Sequence, residues 1–281
     1  MRKDGGLRWK QPIKFTGKAK KMAKVIAIVN QKGGVGKTTT AINLGACFAR
    51  MGERDRLIDM DGQGNMRRGL GCKVKRSQYT IRNAMVDTMN GIDVDPMKGI
   101  VPAKYDPLYI MPADKQLLAF ERSLKNEPEA PYLLRGYVEK LQWSFDRILI
   151  DCSPSLGGLT QNALVASNSV MIPVDPEFFG MEGVEQIIST MGDVQRKMNR
   201  SLYLEGITIV RRNNVSIAKR INVENLRQRY GDKVYKTELP SSVKASEAQA
   251  HGMSLISYMS WNHLTRAFEA LANEVVANEQ Q

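Results

Sequence analysis

A glycine-rich segment near the amino terminus has the composition and spacing of a phosphate-binding loop. Residues 32–40 read KGGVGKTTT, after a short apolar run and before an alanine-rich stretch. Glycines let backbone N–H groups turn inward around an anion, and a helix that begins near Lys37 points the positive end of its dipole at the same place. In such loops the lysine reaches the terminal phosphates and the next hydroxyl binds Mg²⁺, roles that fall here to Lys37 and Thr38. We expect nucleotide contacts from Lys32, Gly33, Gly34, Val35, Gly36, Lys37, Thr38 and Thr39.

Two carboxylates are placed to serve the same phosphates. Asp61 lies in the segment DMDGQGN, residues 59–65, and Asp151 follows the apolar run at 148–150. A carboxylate at the end of a strand beside a phosphate-binding loop can hold Mg²⁺ through water or orient an attacking water. We therefore predict that Thr38, Asp61 and Asp151 bind the metal and that Asp61 also positions the water.

Strands and helices must bring these side chains to one edge of a sheet. Apolar runs typical of buried strands predict strands at residues 25–29, 108–111, 148–150, 170–174 and 204–210. Helical spacing and turn signals predict helices at about 37–51, 114–124, 131–141, 217–230 and 261–277. Asp55 and Arg56 interrupt another apolar run, so we expect a shortened strand that contains only Leu57, Ile58 and Met60. This order predicts an α/β fold with a doubly wound, mostly parallel sheet flanked by helices and a ligand at its carboxyl edge.

The composition suits one large cytoplasmic α/β domain. The chain has 281 residues, of which 42% are hydrophobic and 25% charged. No window approaches the run of about 20 apolar residues that a membrane span needs, and the amino terminus lacks the apolar region of a signal peptide. The three cysteines lie far apart without a C-x-x-C pair, so a reduced cytoplasm is expected. Cys152 is interpreted as a small buried residue rather than a redox group.

Positive charge is concentrated in two segments. The formal net charge is +12; residues 1–24 contain nine Lys or Arg against one acidic residue, and residues 211–244 contain nine against three. A polyanionic partner is expected at these segments, the alternative being two solvated faces. Residues 1–21 are predicted to form a flexible basic arm. The sequence leaves three origins open for it, namely a native extension, an upstream translational start or a cloning remnant. One domain is predicted over residues 22–281.

The phosphate-binding loop departs from the usual G-x-x-x-x-G-K-[ST] pattern, because Gln31 occupies the first glycine position and Lys32 adds a second lysine. In this form it resembles the deviant Walker A box of the ParA and MinD family of P-loop ATPases, and the resemblance extends over residues 22–277. It implies binding of ATP and Mg²⁺ and hydrolysis of ATP. It also implies that Lys32 contacts the nucleotide of a partner subunit, so Lys32, Lys37 and Asp61 are the expected catalytic residues.

Further segments resemble the family with local departures. DMDGQGN is similar to the family's Asp-Pro-Gln-Gly-Asn switch with Gly62 in place of proline, and DCSPSLGG is similar to Asp-x-Pro-Pro-Ser-Leu-Gly with Ser153 in place of the first proline. The departures leave a weakened or differently timed hydrolysis open. By resemblance, the loop with Pro173, Asp175 and Pro176 lies against the adenine ring, although a plain loop-to-helix connection is the alternative.

The second basic segment resembles family segments that bind DNA. RNNVS and LPSSVKASEAQAHG match ParA segments in which basic residues contact nonspecific DNA, with Arg212 and Lys244 at the matching positions. On the predicted helix at 217–230, Lys219 and Arg220 are expected on the same side as further basic residues. These four residues are the predicted DNA-binding set, through phosphate contacts without base readout.

The resemblance is greatest to small single-domain, Soj-like ParA proteins. It implies an ATP-induced homodimer that binds nonspecific DNA, and a ParB-like centromere-binding protein that stimulates hydrolysis and so releases the DNA. A cytoplasmic, nucleoid-associated partition protein for a plasmid or chromosome is therefore expected. The alternatives are a ParA-like ATPase that positions a protein cargo and a MinD-like membrane-cycling regulator. The predicted last helix carries an apolar stripe interpreted as core packing, and the chain ends in NEQQ, so no membrane attachment is expected.

Overall fold

A single mixed sheet organises the molecule. The computed structural model describes residues 21–73, 75, 77–176, 180–210 and 216–280. Within these residues, eight strands form one sheet in the order β3-β4-β2-β5-β1-β6-β7-β8, and every pair is parallel except β3 with β4. The strands are β1 Lys24–Ile28, β2 Asp55–Met60, β3 Val101–Pro102, β4 Tyr109–Met111, β5 Arg147–Cys152, β6 Ser169–Val174, β7 Tyr203–Val210 and β8 Val234–Leu239.

Helices cover both faces of the sheet. They are α1 Lys37–Arg50, α2 Asn65–Gly69, α3 Ile81–Met89, α4 Leu117–Ser123, α5 Leu133–Leu141, α6 Gly158–Ala166, α7 Gly180–Lys197, α8 Ile217–Tyr230, α9 Val243–Ala250, α10 Leu255–Tyr258 and α11 His263–Asn278. Side chains of α3, α5, α6 and α7 share one apolar core, and those of α1, α9, α10 and α11 share the other. The predicted α/β fold, doubly wound and mostly parallel, is confirmed.

Burial on both faces explains why the central strands lack polar alternation. In β1, Val25 and Ala27 belong to one core, whereas Ile26 and Ile28 belong to the other. Successive side chains of a strand point to opposite faces, so both sets must be apolar when both faces are covered. The order of strands then brings the carboxyl ends of β1, β2, β5 and β6 to one edge, which is where the site lies.

The prediction of a shortened second strand is wrong. β2 has six residues, and it pairs with β5 from Asp55 to Met60 and with β4 on its other side. As an interior strand it gains backbone hydrogen bonds on both edges, which outweighs the poor strand propensity of its first two residues. Asp55 lies opposite Arg147 in the register, and the Arg56 guanidinium lies 5.4 Å from the centre of the Phe145 ring.

Several elements match their predicted positions. The helix predicted at 217–230 is α8, Ile217–Tyr230. The apolar stripe of the last helix is buried in the core within α11, through Leu264, Phe268, Leu271 and Val275. Among the described residues, no helix is long and apolar enough to cross a membrane. The predicted arm at residues 1–21 lies outside the described part except for Lys21.

Candidate nucleotide-binding site

The phosphate-binding loop connects β1 to α1 in the conformation that its glycines predict. Gly34 and Gly36 have φ angles of 73° and 98°, which side chains rarely allow. Gly36 caps α1, and within the described chain no side chain accepts a hydrogen bond from the first turn of this helix, which also contains no acidic residue. The first N–H groups of α1 therefore remain available to an anion at the positive end of the helix dipole.

An asparagine that the sequence analysis missed anchors the loop to the sheet. The Asn30 amide donates to the Pro173 carbonyl at 2.6 Å, and its Oδ1 accepts from the Lys32 N–H at 2.8 Å. Asn30 is only 6% exposed, and its bond to Pro173 is buried. This side chain fixes the start of the loop relative to β6.

Lys37 points into the loop rather than into solvent. It is 7% exposed, and its Nζ donates to the Lys32 carbonyl at 3.2 Å. Burial lowers the pKa of Lys37, while the carboxylates of Asp151 and Asp61 act in the opposite direction. A buried cation that donates to a backbone carbonyl can exchange this bond for phosphate oxygens at the same place.

Two buried carboxylates lie side by side beneath the loop. Asp59 of β2 and Asp151 of β5 are neighbours in the register, and their exposed fractions are 0% and 1%. Asp59 Oδ1 accepts from the Asp61 N–H at 3.0 Å, whereas Asp59 Oδ2 and both oxygens of Asp151 have no hydrogen-bond partner within the described residues. Such orphaned carboxylate oxygens need a cation or water to compensate their burial.

Crowding of these carboxylates disfavours their charge. Burial first, and then repulsion from Asp151, raise the pKa of Asp59. Burial also raises the pKa of Asp151, against the Thr38 hydroxyl and the Lys37 ammonium, which favour its charged form. Thr38 is near enough to act on Asp151 electrostatically without regular hydrogen-bond geometry. The arrangement fits a divalent cation beside Thr38.

The loop opens into a cleft of about 550 Å³. Of the predicted nucleotide-binding residues, those that line it are Gly33, Gly34, Gly36, Lys37, Thr38 and Thr39, and the predicted catalytic residue Asp61 lines it as well. Gln249 of α9 also lines the cleft, and its amide donates to the Thr39 hydroxyl at 3.0 Å. Val35 is buried behind the loop. The cleft therefore combines the predicted phosphate-binding residues with a helix from the far end of the chain.

Lys32 and the predicted adenine loop lie close to each other and are not among the residues that line the cleft. The Lys32 side chain is 42% exposed, and its Nζ lies 3.7 Å from the buried carboxylate of Asp175. The other oxygen of Asp175 lies 3.8 Å from Lys219 Nζ, and the Pro176 carbonyl accepts from Asn222 of α8. The segment after β6 thus connects the loop lysine to α8.

The predicted DNA-binding residues do not form one described cluster. Lys219 is mostly buried against Asp175, whereas Arg220 is exposed to solvent. Lys244 forms an ion pair with Glu247 at 2.7 Å one turn along α9. Arg212 lies outside the described residues, as do the other positions from 211 to 215.

Comparisons with known proteins identify relatives of this chain. The family described as "AAA domain" matches residues 23–204. The sporulation initiation inhibitor protein Soj of Bacillus subtilis is 40% identical over 260 residues, which cover 92% of this chain and 100% of that protein. The chromosome partitioning protein ParA of Caulobacter vibrioides is 38% identical over 264 residues, covering 92% of this chain and 95% of that protein.

One solved structure with a bound nucleotide has a fold similar to that of this chain. Cobyrinic acid a,c-diamide synthase of Mycobacterium smegmatis, solved with bound ADP and magnesium, is 28% identical with a TM-score of 0.78. The match covers 92% of this chain and 96% of that one. The chain belongs to the Soj/ParA family of P-loop ATPases with a deviant Walker A box.

Proposed function

We propose that this protein is an ATP-dependent DNA partition ATPase, which forms a dimer around two Mg-ATP molecules and binds nonspecific DNA in that state. Hydrolysis, stimulated by a ParB-like centromere-binding partner, returns it to the form without affinity for DNA. The protein would act in the cytoplasm on the nucleoid, in the segregation of a chromosome or plasmid. The name of one relative, the chromosome partitioning protein ParA of Caulobacter vibrioides, supports this proposal.

The position of Lys32 carries the proposal of a dimer. Lys37 and Thr38 line the chain's own cleft, but Lys32 does not, although it is only five residues before Lys37. Its side chain is 42% exposed and its ammonium lies beside Asp175. A second loop lysine that turns away from its own cleft is available to the phosphates of another subunit.

Residues of this chain account for each part of hydrolysis. The N–H groups of residues 33–39 hold the phosphates, and Lys37 exchanges the Lys32 carbonyl for phosphate oxygens. Thr38, Asp61 and Asp151 would hold Mg²⁺, and the buried Asp59, whose Oδ2 has no hydrogen-bond partner within the described residues, is a further candidate ligand beside Asp151. Mg²⁺ held by these residues would neutralise charge on the phosphates.

Asp61 is the candidate that orients the attacking water. It lines the cleft and is half-buried, and one of its oxygens accepts from the Gln63 N–H at 3.0 Å. This bond fixes the carboxylate at the cleft wall. Lys32 of the partner and Lys37 would then stabilise the charge that develops on the phosphates.

DNA binding is proposed for the exposed cations of α8 together with Arg212 and the basic arm at residues 1–21. Arg220 is exposed on α8 and is available to phosphates. Lys219 is connected through Asp175 to Lys32, so the dimer interface and α8 share one buried carboxylate. This connection supports a DNA affinity that depends on nucleotide.

Binding to a random-sequence DNA duplex tests the proposal. It is measured with ATP, with ADP and without nucleotide at two salt concentrations, for the unaltered protein, Arg220→Glu and the control Lys197→Glu on the exposed end of α7. We expect salt-sensitive binding with ATP only, weakened by Arg220→Glu and unchanged in the control. Binding that is indifferent to nucleotide would contradict the proposal and leave the basic arm as the cause.

One observation favours the second candidate, a ParA-like ATPase that positions a protein cargo. Lys219 and Lys244 are both engaged by carboxylates of this chain, Asp175 and Glu247. Two of the four predicted DNA contacts are therefore already compensated. Failure of the duplex to bind in any nucleotide state, together with intact ATP hydrolysis, would favour this candidate.

A further inference from the structure

We propose that a second cleft, next to the nucleotide-binding cleft, binds a small phosphorylated molecule. Its volume is about 490 Å³, close to that of the nucleotide-binding cleft. Four cations and a single carboxylate line it, namely Arg67, Lys75, Arg82, Lys115 and Asp114. We call this site the basic cleft. It lies where the segment after β4 meets the start of α3 and α2.

Asp114, the one carboxylate among the described lining residues, is already engaged. Asp114 accepts from Arg82 Nε at 3.1 Å, from the Thr80 hydroxyl at 2.6 Å and from the Gln116 N–H at 2.8 Å. In the ranges that the structure covers, Arg67, Lys75 and Lys115 form no ion pair, and Arg67 Nε is buried without a hydrogen-bond acceptor. Arg67 also interacts electrostatically with Asp59, but the cations still outnumber the carboxylates around this cavity, and a bound anion relieves their mutual repulsion.

Neutral donors in the basic cleft specify oxygen acceptors. Over the described ranges, the Ser77 hydroxyl and the Gln116 side-chain amide line the cleft without a hydrogen bond to the protein. Cations that converge with neutral hydroxyl and amide donors form a site that suits phosphate oxygens. The ligand is therefore a phosphate ester or a polyphosphate rather than a cation or an apolar molecule.

Position and size favour a small molecule over DNA. The basic cleft lies beyond the carboxyl end of β4, whereas α8, with the exposed Arg220, connects β7 to β8 at the opposite end of the sheet. One duplex bound at α8 does not have to pass the cleft. A concave site of nucleotide size admits a phosphorylated metabolite, whereas backbone phosphates of a duplex are read on open surfaces.

The basic cleft adjoins the switch segment through α2. Arg67 lines the basic cleft, and the next residue, Arg68, lines the nucleotide-binding cleft. Arg68 also donates to the Gln63 carbonyl and to Asn65, which fixes the segment after Asp61. An anion on Arg67 would restrict the same five-residue helix and so change the rate of ATP hydrolysis.

Affinity labelling with pyridoxal 5′-phosphate tests the proposal without a measurement of ATP turnover. The phosphate of this probe occupies an anion site, and its aldehyde forms an imine with a nearby lysine amine, which borohydride reduces for peptide mapping. The full chain is first saturated with Mg-ADP, which protects the phosphate-binding loop. Lys197 serves as the exposed reference lysine, and pyridoxal without phosphate serves as the control probe.

We expect Lys115 or Lys75 to be labelled about tenfold faster than Lys197. One charge-assisted hydrogen bond to the phosphate of the probe raises its affinity by about this factor. Inorganic pyrophosphate should protect them, and Arg67→Gln should slow their labelling without changing that of Lys197. Equal labelling of all these lysines, or equal labelling by pyridoxal, would overturn the proposal. Protection by a random DNA duplex but not by pyrophosphate would also overturn it and assign the cleft to DNA.

Discussion

Replacing Arg56 with methionine is expected to stabilise the protein, because the arginine is a charge buried inside a β-strand. Arg56 is 0% exposed, and none of its three guanidinium nitrogens has a hydrogen-bond partner in the described structure. The Tyr137 hydroxyl donates to the Pro96 carbonyl and is near enough to favour the charge without regular hydrogen-bond geometry. The Phe145 ring at 5.4 Å supplies a cation–π contact.

The magnitude follows from the pKa. Burial lowers the pKa of Arg56 from its usual 12.5 to about 10, against Tyr137, which raises it. At about 1.4 kcal/mol per pKa unit, this fall corresponds to about 3 kcal/mol. The guanidinium is charged in both the folded and the unfolded chain at pH 7, so the whole penalty applies there. Methionine keeps a similar apolar stem, and the expected gain in unfolding free energy is about 1–3 kcal/mol.

Urea unfolding at pH 7, followed by circular dichroism, measures the gain. The matched control is Arg54→Met, because the Arg54 guanidinium is partly exposed and pairs with Asp146 at 2.8 and 2.9 Å. The control should be unchanged or less stable by up to about 1 kcal/mol. If Arg56→Met leaves the unfolding midpoint unchanged or lowers it, the account of a destabilising buried charge is wrong.

Three further predictions concern single side chains. Burial, and then repulsion from Glu53, raise the pKa of the Asp55 carboxyl, so the folded chain binds its proton more tightly than the unfolded chain does. The free energy of unfolding therefore falls as pH rises from the usual pKa of 3.8 to the pKa in the folded chain. Asp55→Asn should remove this fall, which urea unfolding at pH 5 and pH 8 measures. Asn30→Ala should cost about 1–3 kcal/mol of unfolding free energy and weaken ADP binding in calorimetry, because it removes both anchoring bonds of the loop. Asp59→Asn should slow ATP hydrolysis at least about tenfold, because it removes a candidate Mg²⁺ ligand. It should also raise the melting temperature without nucleotide, because it relieves repulsion with Asp151, and a lower melting temperature would contradict this.

The local features of the site could be predicted from the sequence because neighbouring residues build them. The glycines of the loop, the dipole of α1 and Lys37 all lie within one strand–loop–helix unit. Asp59 was missed although it could have been found. It stands two residues before Asp61, hence on the same side of an extended strand, and the parallel register places it beside Asp151.

Long-range contacts could not be predicted in the same way. Asn30 and Pro173 are 143 residues apart, and Thr39 and Gln249 are 210 residues apart. No periodicity relates such pairs, since they meet only once the sheet order is known. The second strand was mispredicted for a related reason: its length is set by pairing with β4 and β5, which overrides the preferences of its own residues.

The measurement that tests the central claim most directly is complementation between two inactive variants, Lys32→Gln and Lys37→Gln. If Lys32 acts on the partner's nucleotide, a mixed dimer contains one intact site, made of Lys37 from one chain and Lys32 from the other. Random pairing in an equimolar mixture should then restore about one quarter of the unaltered ATPase rate. A mixture that is no more active than the variants alone would contradict the account, because Lys32 would then act within its own chain.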